Sequence, residues 1–184
     1  MDAKLAIAET LERNRNFVSA GKGTSFKAEI KPRKRLAIVT CMDTRLSTMF
    51  TAALGLENGD AVIIRVAGAD VRDPFGTVMR SLLVAVYLLG VTDIMVVAHT
   101  ECGTQHMCCS DMIPLMKQAG IAEEVFAAIE TQGVDLTTWL EGFGDLEGVV
   151  HQSIATIIEH PLMPKSVGVH GYIINTQSGE LLPV

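Results

Sequence analysis

Three short apolar runs rich in β-branched residues, RLAIVT at 35–40, AVIIRV at 61–66 and DIMVVA at 93–98, are separated by stretches with helical spacing. Runs of this length without polar alternation suit strands buried on both faces, and such strands belong to parallel sheets whose crossovers are helices. The alternation predicts an α/β fold with a mainly parallel central β-sheet flanked by helices. With 184 residues, 48% apolar and 20% charged, the chain has enough sequence for one sizeable core and is read as a single domain over 1–184.

Leu5, Ile7, Ala8, Leu11 and Val18 fall near helical spacing, so 1–22 is read as an amphipathic helical arm with Asp2 as N-cap and Gly21 as stop. A short helix is expected over 47–54. Asp73-Pro74, a capping residue followed by proline, predicts a long helix over 74–89 that stops at Gly90. That helix is apolar all round, with Leu83, Val84, Tyr87 and Leu88 outside its main face of Val78, Leu82, Ala85, Val86 and Leu89, which implies burial on several sides and a partner subunit over part of it. Residues 111–144 form a variable middle segment of helical pieces broken by glycines, with no boundaries assigned. From Asp145 the positions Leu146, Val150, Ile154, Ile157 and Ile158 describe a helix ending at His160-Pro161, and SVGVHGYIIN reads as a strand before a turn at Ser178-Gly179.

A formal charge of −6 excludes the basic face that nucleic acid or anionic lipid would need, so neither is expected as a partner. The basic run Lys31 to Arg35 contains a proline and reads as a solvated loop. No secretory signal is visible, since Asp2, Lys4, Glu9 and Glu12 interrupt the N-terminal region, and the longest apolar run, 82–89, is far short of the roughly 20 residues of a membrane span. A cytoplasmic protein is expected. In that setting four cysteines point to metal binding or catalysis rather than to disulfides.

The chemistry concentrates in two places. Cys41 directly follows the first strand, and His99 ends the third, with Cys102 three residues on in AHTECGTQHMCCSD (98–111). The carboxyl ends of parallel strands are where such sheets bind ligands. Two thiolates and an imidazole suit Zn²⁺, and three protein ligands leave a tetrahedral position for water, as in catalytic sites. A structural site would want a fourth ligand, which His106, Cys108 or Cys109 could supply. CMDTRL tips the balance: in an extended chain Asp43 and Arg45 share a face with Cys41, where a carboxylate held ionised by arginine can accept a hydrogen bond from zinc-bound hydroxide and orient it.

Cys41-x-Asp43-x-Arg45 followed later by His99-x-x-Cys102-Gly103 resembles the β-class carbonic anhydrases, and the resemblance extends through IIRVAGADV, RSLLVAVYLLG and the C-terminal SVGVHGYIINTQSGELLPV. It implies reversible hydration of CO₂ to bicarbonate by a zinc hydroxide enzyme with one Zn²⁺ per chain, assembled as a homodimer or higher homo-oligomer. By this likeness Cys41, His99 and Cys102 match the zinc ligands, Asp43 and Arg45 match the catalytic pair, and Asp43 is a conditional fourth ligand in a closed state. Two features depart from the pattern. Val66 stands where the family carries asparagine, and TQHMCC is an unusual continuation after His-x-x-Cys-Gly. Both bear on pocket shape and access, so a COS or CS₂ hydrolase on the same core is kept as an alternative.

A catalytically silent zinc scaffold or sensor is the alternative from another class, opposed by the intact Asp43 and Arg45. A thiol redox role for Cys108 or Cys109 lacks the Cys-x-x-Cys spacing, and His106, Cys108 and Cys109 read as a loop with free thiols. His151, His160 and His170 read as solvated or packed side chains.

Overall fold

The computed structural model describes residues 3–184. Strands β1 (Leu36–Cys41), β2 (Ala61–Val66), β3 (Asp93–His99), β4 (Gly168–Ile174) and β5 (Leu181–Pro183) form one sheet in the order β2-β1-β3-β4-β5. All pairs are parallel except β4 with β5. The expected class, a mainly parallel sheet flanked by helices, is the observed one. β5 closes the last hairpin beyond the Ser178-Gly179 turn, where Gly179 takes φ 77° and its N–H donates to the Asn175 carbonyl.

The β-branched runs form strands because both sheet faces are covered. On one face α3 (Thr77–Tyr87) and α7 (Leu146–Glu159) pack Met79, Leu82, Val150 and Ile157 onto Ala37, Val39, Ile94 and Val96. On the other, α2 (Leu46–Ala53) sets Leu46 and Phe50 against Ile38, Val97 and Ile174. Each fully buried side chain of this size contributes roughly 1.5–3 kcal/mol. The chain leaves β1 for β2 on one side and later returns to β3 on the other, so the strand order reverses beside β1. The carboxyl ends of β1 and β3 therefore flank a topological switch point, where such sheets open a crevice.

Several boundaries differ from expectation. Asp73 caps a turn rather than a helix: its carboxylate accepts from Phe75 N–H at 2.9 Å and its carbonyl from Gly76 N–H, so α3 begins at Thr77. Within this chain α3 is not buried all round, since Val84, Tyr87 and Leu88 are exposed. The middle segment folds as α4 (Cys109–Gln118), α5 (Glu123–Thr131) and α6 (Leu136–Leu140), with Gly120 and Gly133 in left-handed conformation between them. The N-terminal helix α1 (Ala3–Ser19) forms, but Leu5, Ile7, Leu11 and Val18 face solvent. The expected Asp2 cap lies outside the described residues. The basic loop at 31–35 is solvated at its charged positions, with Arg33 paired to Asp60 at 2.8 Å. Among the described residues, no helix is long and apolar enough to cross a membrane.

Candidate metal centre

β1 delivers Cys41 and β3 delivers His99 to the switch-point crevice, and the turn after β3 brings Cys102 back over it. Their ligand atoms all lie within 4.8 Å of one another, and all three residues are buried. The two sulfurs are 3.9 Å apart. That is far beyond a disulfide bond, and it matches the edge of a tetrahedron with metal–sulfur bonds of about 2.3 Å. His99 Nδ1 lies 2.9 Å from the Thr100 carbonyl, which can only accept, so Nδ1 carries the proton and Nε2 the lone pair. Among the described residues, Nε2 is the one buried side-chain nitrogen or oxygen without a hydrogen-bond partner. A lone pair left unsatisfied in a dry interior is costly unless something coordinates it. The donor set therefore fits a metal ion.

Asp43 and Arg45 border the same crevice by a route different from the extended strand expected. Met42 is exposed at the rim of the crevice, Asp43 is half-buried within it, and Arg45 already has helical backbone angles as the N-cap of α2. From there its side chain folds back, donating from Nε (3.0 Å) and Nη2 (2.8 Å) to Asp43, whose Oδ1 also accepts from the Arg45 backbone N–H at 2.8 Å. The Arg45 side-chain bonds, outweighing a smaller opposing push from burial, hold the Asp43 carboxyl at about 2, below its ordinary 3.8. Asp43 is thus a carboxylate throughout the neutral range. Its Oδ2 is 3.9 Å from His99 Nε2. Arg45 is also tied to the Glu101 carbonyl at 2.8 Å, a contact made available by the left-handed backbone of Glu101 at φ 56°.

A cleft of about 390 Å³ opens over these groups, lined by Cys41, Met42, Asp43, Thr44, Arg45, Cys102, Gly103 and Thr104. Val66, paired in register with Cys41, instead lines a neighbouring cavity of about 190 Å³ with Met107, Trp139 and Phe143, and Thr104 is common to both spaces. The loop that follows Cys102 is folded against the middle segment, with Gly142 N–H donating to the Met107 carbonyl at 2.8 Å. Cys108 makes its contacts at the start of its own helix, with Ser110 at 2.9 Å and Asp111 at 3.1 Å. No further His, Cys, Asp or Glu joins the Cys41–His99–Cys102 group among the described residues. His170 pairs with Asp93 at 3.3 Å, buried His160 accepts from Leu162 N–H, and His151 is solvated.

A family model described as carbonic anhydrase matches residues 36–181, spanning both motifs. The chain belongs to the β-carbonic anhydrase family. It is 42% identical over 181 residues to YvdA of Bacillus subtilis, which carries a provisional carbonic anhydrase name, covering 98% of this chain and 92% of that one. It superposes on the crystal structure of β-carbonic anhydrase isoform I from Trichomonas vaginalis with a TM-score of 0.86 at 30% identity, covering 100% of this chain and 97% of that one. A carbon disulfide hydrolase of Acidithiobacillus thiooxidans is 26% identical over 161 residues, 84% of this chain and 79% of that one. Membership of the β-carbonic anhydrases supports a lyase-type metalloenzyme.

Sequence reasoning passed over two groups at this β-carbonic anhydrase centre. Glu101, which grips Arg45 through its carbonyl, carried no signal, because a left-handed glutamate cannot be told from an ordinary one in sequence. Thr104 was visible only as part of the unusual TQHMCC. Its hydroxyl lies 3.0 Å from Cys102 Sγ.

Proposed function

We propose that the chain hydrates CO₂ reversibly to bicarbonate and a proton, with one Zn²⁺ held by Cys41, His99 and Cys102 and with Asp43 and Arg45 as the catalytic pair. The observation that carries the reading is the unpartnered His99 Nε2, directed at a pair of thiols with tetrahedral-edge spacing in the switch-point crevice. When bound there, zinc supplies Lewis acidity and makes a coordinated water acidic enough to ionise near neutral pH. Everything else falls to the chain. Asp43, ionised and without a proton to give, accepts a hydrogen bond from the attacking water and so decides which lone pair faces the substrate carbon. Arg45 keeps that carboxylate charged and turned into the cleft. If Asp43 leaves Arg45, its position near His99 makes it the conditional fourth ligand of a closed state.

Support for CO₂ over COS or CS₂ comes from relatedness: identity is 30% to the Trichomonas vaginalis β-carbonic anhydrase and 42% to YvdA, whose carbonic anhydrase name is itself provisional, against 26% to the Acidithiobacillus thiooxidans carbon disulfide hydrolase. A homo-oligomer belongs to the same reading, because α1 presents Leu5, Leu11 and Val18, and the end of α3 presents Tyr87 and Leu88, all more than half exposed among the described residues. A second copy is the partner we assign to these faces. A cytoplasmic setting is proposed with it, since two ligand thiols must stay reduced to bind metal.

The test has two parts. Metal analysis should find about one zinc per chain, lost when Cys41, His99 or Cys102 is replaced by alanine. Turnover of the zinc-loaded chain on CO₂, COS and CS₂ should then favour CO₂. Fast hydrolysis of either sulfur compound with negligible CO₂ hydration overturns the substrate, and a zinc-loaded chain inactive on all three is a scaffold.

A further inference from the structure

Thr104 is held in place with unusual economy of space. On one side a Cβ at Gly68 would stand 2.9 Å from Thr104 Oγ1 and 2.6 Å from the Phe143 ring. On the other, a Cβ at Gly142 would overlap the Thr104 carbonyl oxygen and crowd Met107. Gly142 does not have positive φ, so its backbone angles do not demand glycine; the closeness of residue 104 does. Gly142 thus makes room for the Thr104 backbone, while Gly68, left-handed at φ 70°, leaves room for the Phe143 ring and the Thr104 hydroxyl. The hydroxyl lies 3.0 Å from Cys102 Sγ, its sole hydrogen-bond partner among the described residues.

From this placement we infer that Thr104 is a positioning residue of the metal centre, its hydroxyl donating a hydrogen bond to the Cys102 thiolate. The inference rests on the reading of Cys41, His99 and Cys102 as metal ligands. A thiol that binds metal has lost its proton, so the sulfur can only accept, and the direction of the bond is settled by chemistry. The bond does two things. It stabilises negative charge on a buried sulfur whose surroundings include the apolar side chains of Ile38, Phe50 and Val97. It also draws electron density from the sulfur, so that Cys102 donates less charge to the metal than Cys41 and leaves the ion a stronger Lewis acid. Because Thr104 also walls the neighbouring cavity lined by Val66 and Met107, movement of that wall acts directly on the ligand.

The discriminating pair is Thr104→Val, which keeps the shape and loses the donor, and Thr104→Ser, which restores it. Each full chain is loaded with Co²⁺ in place of zinc, and the sulfur-to-cobalt charge-transfer band is recorded beside a zinc competition titration against a chelator. In Thr104→Val the band should move to longer wavelength, because the Cys102 sulfur becomes the better electron donor. Zinc affinity should fall about tenfold, the low end of what loss of an outer-sphere partner costs. Thr104→Ser should return both readouts to those of the natural chain. A Thr104→Val band and affinity equal to the natural chain's overturn the inference while leaving the metal centre standing. A valine effect that serine does not rescue also overturns it, since packing rather than donation would then be the cause. A natural chain that takes up neither cobalt nor zinc overturns the metal-centre reading itself.

Discussion

Replacing Arg45 with alanine removes two of the three hydrogen bonds that Asp43 accepts from it and leaves the third, because that one comes from the backbone N–H. The Asp43 carboxyl should rise from about 2 to near its ordinary 3.8, with the retained backbone bond and the push from burial roughly offsetting. A shift of this size corresponds to about 2 kcal/mol at 1.36 kcal/mol per pH unit. The Arg45 side chain is 44% exposed, and solvent screening reduces the stability at stake to about 1 kcal/mol. A carboxyl held low in the folded state stabilises the fold above its unfolded value, and the benefit is lost as pH falls through the folded one. In metal-free protein the natural chain should therefore exceed Arg45→Ala by a constant margin above about pH 4, and the margin should close as pH falls toward 2. Carboxyl-carbon NMR titration of Asp43, with urea denaturation at several pH values, measures both. An Asp43 that titrates near 4 in the natural chain, or a stability margin independent of pH, would refute the argument.

Three other outcomes follow from the packing. Gly142→Ala forces a methyl group onto the Thr104 carbonyl and should destabilise the fold by about 1–3 kcal/mol in a denaturant titration, as overpacking does. Asp145→Ala removes the cap whose carboxylate accepts from Gly148 N–H at 2.7 Å, at a cost of about 1 kcal/mol read from the thermal midpoint. Leu11→Glu combined with Val18→Glu changes two side chains already 54% and 67% exposed in this chain, so circular dichroism should be unchanged while sedimentation shows the assembly dissociating. An unaltered sedimenting mass would move the oligomer contact away from α1.

The strands and the Cys41–His99–Cys102 cluster were legible because one pattern encodes both. A β-branched run with no polar break marks a central strand, and a ligand written directly after such a run must emerge at its carboxyl end. The middle segment was opaque for a local reason. Pro114 lies inside α4, where proline ordinarily signals a break, and the glycines at 120 and 133 interrupt the helical pieces around it. Asp73-Pro74 misled in the opposite direction, since the same aspartate can cap a turn or a helix and only the positions of Phe75 and Gly76 decide. The bend that carries Arg45 back to Asp43 depends on where α2 begins, and an i, i+2 spacing is silent on that. What Thr104 touches is set by Gly68 and Gly142, distant in sequence and converging only when the sheet and the middle segment come together.

The centre joins strands that are neighbours in space but far apart in the chain: Cys41 and Cys102 are 61 residues apart. Closing a loop of that length costs a flexible chain about 4 kcal/mol of entropy. During synthesis β1 can pair with β2 first, and Cys41 stays a lone thiol until β3 has emerged and docked along the other side of β1. On the proposed reading, metal capture follows correct strand pairing, and the ion once seated would act as a clasp across the middle of the sheet. Chelation should loosen the β1–β3 seam before either edge, and backbone amides along that seam should be the first to gain hydrogen exchange when the ion is withdrawn.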